Sequence, residues 1–101
     1  MAMLTSHTLN GSDGTHAGSI TVTLTNLITR AVTFTSQMDE SGRLSQSIPP
    51  QDVDPTATYE LVFDTGPYWA ARKMPATVTQ IALRFAMQDP DGAYHMPVIL
   101  N

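Results

Sequence analysis

The chain has no cysteine, and charged residues make up only 14% of its 101 positions. Without cysteine there is no disulfide framework and no thiolate chemistry, so any activity must use His, Arg, carboxylates, hydroxyls and backbone groups. A chain of this length buries enough surface for one two-layer core. We therefore expect a single domain that spans residues 1–101.

Basic residues are also few, with five Lys and Arg against nine Asp and Glu and a net charge of −4. They are scattered along the chain, which excludes the basic patch of a nucleic-acid-binding protein. No apolar run approaches the roughly 18 residues of a membrane helix, and residues 1–10 have neither the positive leader nor the apolar centre of a signal peptide. We expect no nucleic-acid partner, no membrane partner and a cytoplasmic location.

The dominant pattern is alternation of apolar and polar residues. Ile20, Val22 and Leu24 alternate with threonines, which predicts a half-buried strand. A shorter alternation over residues 4–9 ends at a loop rich in Gly, Asn and Asp over residues 10–14. Further strands are predicted over residues 31–36, 59–65, 77–88 and 93–100. Turn signals about every ten residues indicate an all-β sandwich.

Two segments depart from this alternation. Residues 66–74 predict one short helix, because Pro67 suits a first helical position and two cations near its end complement the helix dipole. The adjacent aromatic pair, Tyr68 and Trp69, is expected to lie in the core. Pro97 interrupts the last apolar run, and its missing N–H predicts a sheet edge or a bulge there. Such an edge favours pairing with another subunit.

The three histidines are the groups most suited to acid–base chemistry near neutral pH. Alternation puts His7 on the strand face opposite Leu4, and His95 also projects from a strand, so both can be held rigidly. His16 falls in the Gly-rich loop and is expected to be solvated. No His pair has the close spacing of metal ligands, so no metal is expected. The residues alone leave open whether His7 and His95 are functional or structural.

Arg43 follows the turn signal of residues 39–42 and is expected to lie at the start of the next strand. Its planar cation can clamp an anionic or carbonyl-bearing ligand through paired N–H bonds. The alternative is a solvated pairing with Asp39 or Glu40, which contributes less than about 1 kcal/mol. The residues alone leave both interpretations open.

Four segments in chain order carry a resemblance to a known family: Leu4-Thr5-Ser6-His7-Thr8-Leu9-Asn10, Asp39-Glu40-Ser41-Gly42-Arg43-Leu44, Tyr59-Glu60-Leu61-Val62-Phe63-Asp64 and Tyr94-His95-Met96-Pro97-Val98-Ile99-Leu100. Together they resemble the transthyretin-like family, in its 5-hydroxyisourate hydrolase branch, over nearly the whole chain. The resemblance implies an all-β, two-sheet antiparallel (prealbumin-like) sandwich with a short helix after the fifth strand. Residues 66–69 fall at that helix.

In the hydrolase branch, a His of the first strand, an Arg after the turn and a His of the His-x-Pro segment line a subunit-interface site. They match His7, Arg43 and His95 here, a set that the hormone-carrying branch does not keep. The resemblance therefore implies hydrolysis of 5-hydroxyisourate to 2-oxo-4-hydroxy-4-carboxy-5-ureidoimidazoline in uric acid degradation, without cofactor or metal. One of the two histidines would take a proton from water, and Arg43 would bind substrate and offset charge on oxygen.

The hydrolase pattern also includes a final strand that ends in a Tyr-Arg-Gly-Ser tetrapeptide and reaches into the site. The present sequence ends at Asn101, without that segment. We expect a homo-oligomer, a tetramer as in the family or a dimer if the terminal strand is absent. The alternative to an enzyme is a non-catalytic module of the same fold that binds a small ligand or a partner.

Overall fold

Eight β-strands and one α-helix make up the computed structural model, which describes residues 1–101. The strands are β1 (Ala2–Asn10), β2 (Thr21–Asn26), β3 (Val32–Gln37), β4 (Arg43–Ile48), β5 (Thr58–Asp64), β6 (Gln80–Ala86), β7 (Ala93–His95) and β8 (Val98–Leu100). The helix α1 covers Gly66–Ala71, and a 3₁₀ turn covers Pro50–Asp52. No helix has the length and apolar character needed to span a membrane.

The strands form two four-stranded sheets. One sheet has the order β3-β2-β5-β6, and all its neighbours are antiparallel. In the other, β4 pairs antiparallel with one edge of β1, while β7 and β8 run parallel along its other edge. The predicted two-sheet sandwich with one short helix is confirmed, and the pairings of β1 with β7 and with β8 are its two parallel ones.

The two sheets enclose a core of 19 buried apolar residues. In β1 every second residue is buried, because successive side chains of a strand point to opposite faces. Tyr68 and Trp69 of α1 belong to this core, as predicted, and their rings meet edge to face with centroids 5.1 Å apart. The side chains at the alternate, less buried positions of β1 therefore point to the opposite, outer face of the sheet.

Polar residues occupy three of the buried positions of β1, namely Ser6, Thr8 and Asn10. The Thr8 hydroxyl donates a hydrogen bond to the carbonyl of Ala17, and the Asn10 amide donates to the hydroxyl of Tyr68 at 3.1 Å. Buried polar groups need such partners, since an unpaired one costs about 1–3 kcal/mol. These bonds fix β1 against the following loop and against α1.

The alternation pattern does not predict β4. Its buried residues are Leu44 and Ile48, but the polar Gln46 stands between them and breaks the apolar repeat. The strand forms because β1 provides a partner along its whole length, from Ala2 opposite Ile48 to His7 opposite Arg43. Tertiary pairing outweighs the weak local pattern at this position.

The last apolar run is predicted as a single strand, but Pro97 divides it into β7 and β8. Thr5 pairs with His95 and Thr8 with Val98, so the register along β1 is unchanged across the break. Proline has no N–H to donate to the ladder, which explains the interruption. Both segments lie at the edge of their sheet, as Pro97 predicts.

The helix α1 is shorter than the predicted residues 66–74. It ends at Ala71, and Lys73 adopts a left-handed backbone conformation with φ 57°, which stops the helix. Arg72 is the C-cap residue and Lys73 follows it, so the two cations lie just after the last turn and not within it. The Arg72 guanidinium lies over the ring of Tyr68 instead, 4.6 Å from its centroid.

Candidate functional site

Three neighbouring strands carry the predicted site residues. Arg43 of β4 is the register partner of His7 in β1, and His95 of β7 is the register partner of Thr5. Paired residues of adjacent strands point to the same face of a sheet. Because the buried positions of β1 face the core, His7, Thr5 and their partners lie on the outer face. The structure thus brings the three predicted residues onto one face.

A hollow of about 380 Å³ opens on this face. The residues that line it are mostly of polar type and include Thr5, Asp39, Arg43, Ser45 and His95. The volume lies within the range of small-molecule sites, about 300–1,000 Å³. His7 is not part of the wall, but its register partner Arg43 is.

The guanidinium of Arg43 forms no ion pair in the structure. The two ion pairs lie elsewhere, between the N-terminus and Asp91 and between Arg84 and Glu60. The Asp39 carboxylate instead accepts a hydrogen bond from the backbone N–H of Arg43 at 2.9 Å. The pairing of Arg43 with an acidic side chain is therefore not formed, and its N–H groups are available to a ligand.

The turn before Arg43 is built around Asp39 and Gly42. Hydrogen bonds from the backbone of Arg43 and from the hydroxyl and backbone of Ser41 hold the pKa of Asp39 below its usual value. Gly42 has φ 73°, and a Cβ there would lie 2.6 Å from the carbonyl oxygen of Thr8. Only glycine fits, and the start of β4 is held tightly against β1.

A hydroxyl from the neighbouring strand orients His95. Its Nδ1 lies 2.8 Å from Oγ1 of Thr5, while no protein group hydrogen-bonds its Nε2. Oγ1 of Thr5 also donates to the carbonyl of Tyr94 at 3.5 Å, so its lone pairs remain to accept a hydrogen bond from Nδ1–H of His95. In that tautomer Nε2 carries no proton and is the nitrogen of His95 that can accept one.

His16 contacts His7, and the sequence pattern does not predict this contact. Its side chain is exposed, as expected, but its Nδ1 lies 2.9 Å from Nε2 of His7, and the two ring centroids are 5.0 Å apart. His16 also forms an isolated antiparallel bridge with Leu9. The turn signal between Leu9 and His16 was the available clue, because a turn there folds the loop back along β1.

The environment of His7 favours its neutral form. Partial removal from water lowers the pKa of His7, and the charges of Arg43, His16 and His95 lower it further, while Asp39 opposes them. A neutral imidazole at neutral pH can accept a proton. No group of three or more His, Asp or Glu side chains is arranged to hold a metal ion.

These features define a class of protein: a small two-sheet sandwich with imidazoles, a guanidinium and hydroxyls gathered on the outer face of one sheet. The chain belongs to the HIUase/Transthyretin family, whose sequence profile matches residues 4–101. This confirms the family resemblance drawn from the sequence.

Two bacterial relatives of this chain are named as 5-hydroxyisourate hydrolases. This chain is 28% identical over 107 residues to "5-hydroxyisourate hydrolase" of Pseudomonas aeruginosa, and the match covers 100% of this chain and 85% of the relative. It is 31% identical over 104 residues to "5-hydroxyisourate hydrolase 2" of Rhizobium meliloti, covering 97% and 87%.

Solved structures show the same fold. The Klebsiella pneumoniae 5-hydroxyisourate hydrolase matches with a TM-score of 0.82 and 24% identity, over 99% of this chain and 90% of that one. Transthyretin from Sparus aurata matches with a TM-score of 0.82 and 24% identity, over 97% and 87%. Since a hydrolase and a transthyretin match equally well, the fold does not separate the two activities.

Proposed function

We propose that the chain is a 5-hydroxyisourate hydrolase. It would open the ring of 5-hydroxyisourate with water and release 2-oxo-4-hydroxy-4-carboxy-5-ureidoimidazoline, a step of uric acid degradation. The family profile over residues 4–101 and the two bacterial relatives that bear this name support the assignment. The proposed site residues are His7, Arg43 and His95.

One observation carries the proposal, namely the register of β1 with its two neighbours. His7 lies opposite Arg43 and Thr5 lies opposite His95, so groups that are far apart in sequence share one sheet face. Rigid strands hold catalytic groups more precisely than mobile loops do. The polar hollow of about 380 Å³ beside them suits a small substrate rich in carbonyl and N–H groups.

Each of these residues has its own role in an amide-type hydrolysis. An imidazole accepts a proton as the water oxygen attacks the ring carbonyl carbon. The carbon–nitrogen bond then breaks, the released ring nitrogen takes a proton, and the carbonyl becomes a carboxylate. The guanidinium of Arg43, which has no carboxylate partner of its own, offsets the charge that develops on the carbonyl oxygen. The second imidazole hydrogen-bonds the substrate.

We further infer that the chain is a single domain, that four copies of it form a homotetramer, and that the site lies at a subunit interface. Ile99 of β8 is 62% exposed. It is the register partner of Leu9, so it lies on the same face as His7. An exposed apolar residue beside the site is consistent with a covering subunit. A dimer is the alternative, and the cytoplasmic location stays a prediction.

The test is the decay of freshly generated 5-hydroxyisourate, followed by its ultraviolet absorbance with and without the protein. We expect wild-type protein to accelerate the decay, and His7→Ala, Arg43→Ala and His95→Ala each to abolish the acceleration while circular dichroism shows an intact fold. Wild-type decay equal to that in buffer would overturn the proposal. Saturable binding without turnover would instead support a ligand-binding member of the fold.

A further inference from the structure

We propose that His16 is a positioning residue that fixes the tautomer and ring orientation of His7, so that His7 Nδ1 accepts the hydrogen bond of the reacting water. The inference rests on the hydrolase function proposed above and deepens it. It adds a residue to the site that neither the resemblance nor the pattern of strands indicates.

The first support is the backbone geometry of the loop that carries His16. The carbonyl of Thr15 accepts a hydrogen bond from the N–H of Asn10 at 2.8 Å, and the N–H of Ala17 donates to the carbonyl of Thr8 at 3.0 Å. These bonds lie on either side of His16, which bridges to Leu9. The segment therefore runs antiparallel to the end of β1 and acts as a short extra strand.

The second support is the side-chain contact that this backbone arrangement produces. Leu9 is an outer-face position of β1, as is His7 two residues earlier. A residue that pairs with Leu9 shares its face, so the His16 ring lies diagonally across from the His7 ring. The rings are tilted by 37°, and the 2.9 Å contact between Nε2 of His7 and Nδ1 of His16 is a normal hydrogen-bond length.

The proton arrangement follows from the chemistry of imidazole. A hydrogen bond between two ring nitrogens needs one proton, and a neutral ring protonated on Nε2 keeps Nδ1 as its acceptor. No protein group hydrogen-bonds Nδ1 of His7. If Nε2–H of His7 donates to Nδ1 of His16, then His7 Nδ1 is available to water.

The surrounding charges favour this neutral arrangement. Arg43 from β4 and His95 from β7 face His7 from the two neighbouring strands, and Asp39 in the turn before β4 is the one nearby carboxylate. A proton on Nδ1 of His7, added to the one on Nε2, would place positive charge next to the Arg43 guanidinium, which is unfavourable. The neutral His7 ring therefore keeps only its Nε2–H, the proton of the hydrogen bond to His16.

The experiment compares four proteins: wild type, His16→Phe, His16→Asn and Ser12→Ala. Phenylalanine keeps a ring but has no nitrogen, whereas the asparagine amide can replace the Nδ1 contact. Ser12 is an exposed residue of the same loop whose side chain makes no hydrogen bond to the protein, so its replacement is the matched control. Thermal unfolding of each protein shows that the fold is retained.

The direct readout is the ¹⁵N chemical shifts of the His7 imidazole in histidine-labelled protein. In wild type, in His16→Asn and in the control we expect Nε2 to be protonated and Nδ1 unprotonated. In His16→Phe we expect a mixture of both tautomers. A His7 that carries its proton on Nδ1 in wild type, or one whose shifts are the same in His16→Phe, overturns the inference.

The kinetic readout is the decay assay described above. The loss of one hydrogen bond predicts a fall of about threefold to tenfold in kcat for His16→Phe, with KM nearly unchanged, and rescue by His16→Asn. If wild type is active but His16→Phe retains its full kcat, the positioning role is overturned and the hydrolase function stands. If wild type is inactive, the hydrolase proposal fails, and the ¹⁵N shifts still decide whether His16 fixes His7.

Discussion

Thr5 and His95 are joined twice across the boundary between β1 and β7. They are register partners in the parallel ladder, and Oγ1 of Thr5 lies 2.8 Å from Nδ1 of His95. The backbone holds the two residues side by side, and the hydroxyl sets the rotation of the ring. The geometry of this imidazole therefore depends on a residue with no acid–base chemistry of its own.

Replacing Thr5 by valine tests this dependence. Valine keeps the branched shape but removes the hydroxyl, so the His95 ring loses its orienting bond. We expect kcat/KM for 5-hydroxyisourate to fall about threefold to tenfold, the range of a single hydrogen bond. Thr5→Ser keeps the hydroxyl and should stay close to wild type in the absorbance assay. Equal activity of the valine and serine variants would contradict the role of the hydroxyl.

Arg43→Lys tests whether the site needs a planar cation or only a positive charge. Lysine cannot form two parallel N–H bonds to a carbonyl or an oxyanion. We expect a loss of about 10²–10³ in kcat, as when a donor to a developing oxyanion is removed. The control is Arg84→Lys, because Arg84 is an exposed partner of Glu60 in the other sheet. Similar activity in both variants would show that charge alone suffices at Arg43.

Gly42→Ala tests how tightly the start of β4 is held against β1. Gly14 is a matched control, since the two glycines have φ 73° and 75°, but a Cβ at Gly14 would meet nothing within 4 Å. Gly14→Ala should cost only the left-handed backbone penalty of about 1–2 kcal/mol. Gly42→Ala adds a clash with the Thr8 carbonyl, so urea unfolding should show a clearly larger loss of stability. Equal losses would mean that the turn can move away from β1.

The lowered pKa of His7 predicts a specific pH dependence. Titration of the His7 Cε1 proton by NMR should give a midpoint below the ordinary value of 6.5. Because the folded state binds this proton less readily than the unfolded chain, the contribution of His7 to stability is complete above about 6.5. It is lost as the pH falls through the folded-state value.

Removing the charge of Asp39 tests whether neighbouring charges influence the pKa of His7. Asp39 is the one neighbour that raises the pKa of His7, so Asp39→Asn should move the His7 midpoint further down. The loss of activity on acidification should move with it if His7 accepts the proton in the reaction. A His7 midpoint at or above 6.5 in wild type would contradict the environment described for this residue.

Much of the fold could be predicted from local patterns. The strand around Ile20–Leu24 alternates cleanly and the one around Tyr59–Phe63 is rich in strand-forming residues, and both agree with the prediction to within one or two residues. The strand β4 could not be predicted in this way, because Gln46 interrupts its apolar positions and its pairing with β1 is non-local. The left-handed backbone at Lys73 that shortens α1 was equally invisible in the helical pattern.

The candidate site was predictable in its members but not in its geometry. Alternation indicated His7 and His95, the preceding turn signal indicated Arg43, and the family resemblance joined the three. The loop composition around His16 indicated only a solvated residue. The contact between His7 and His16 arises from a turn that reverses the chain over β1. Composition does not reveal where such a turn directs the side chains that follow it.

The sequence by itself determined the all-β class, the outward direction of His7 and the edge position of the segment around Pro97. Each of these follows from side-chain alternation or from a missing N–H within a few neighbouring residues. Only the tertiary structure decided that Arg43 lies opposite His7, that Thr5 orients His95 and that His16 contacts His7. Those relationships depend on the register between strands, and register is set by pairing and burial across the whole sandwich.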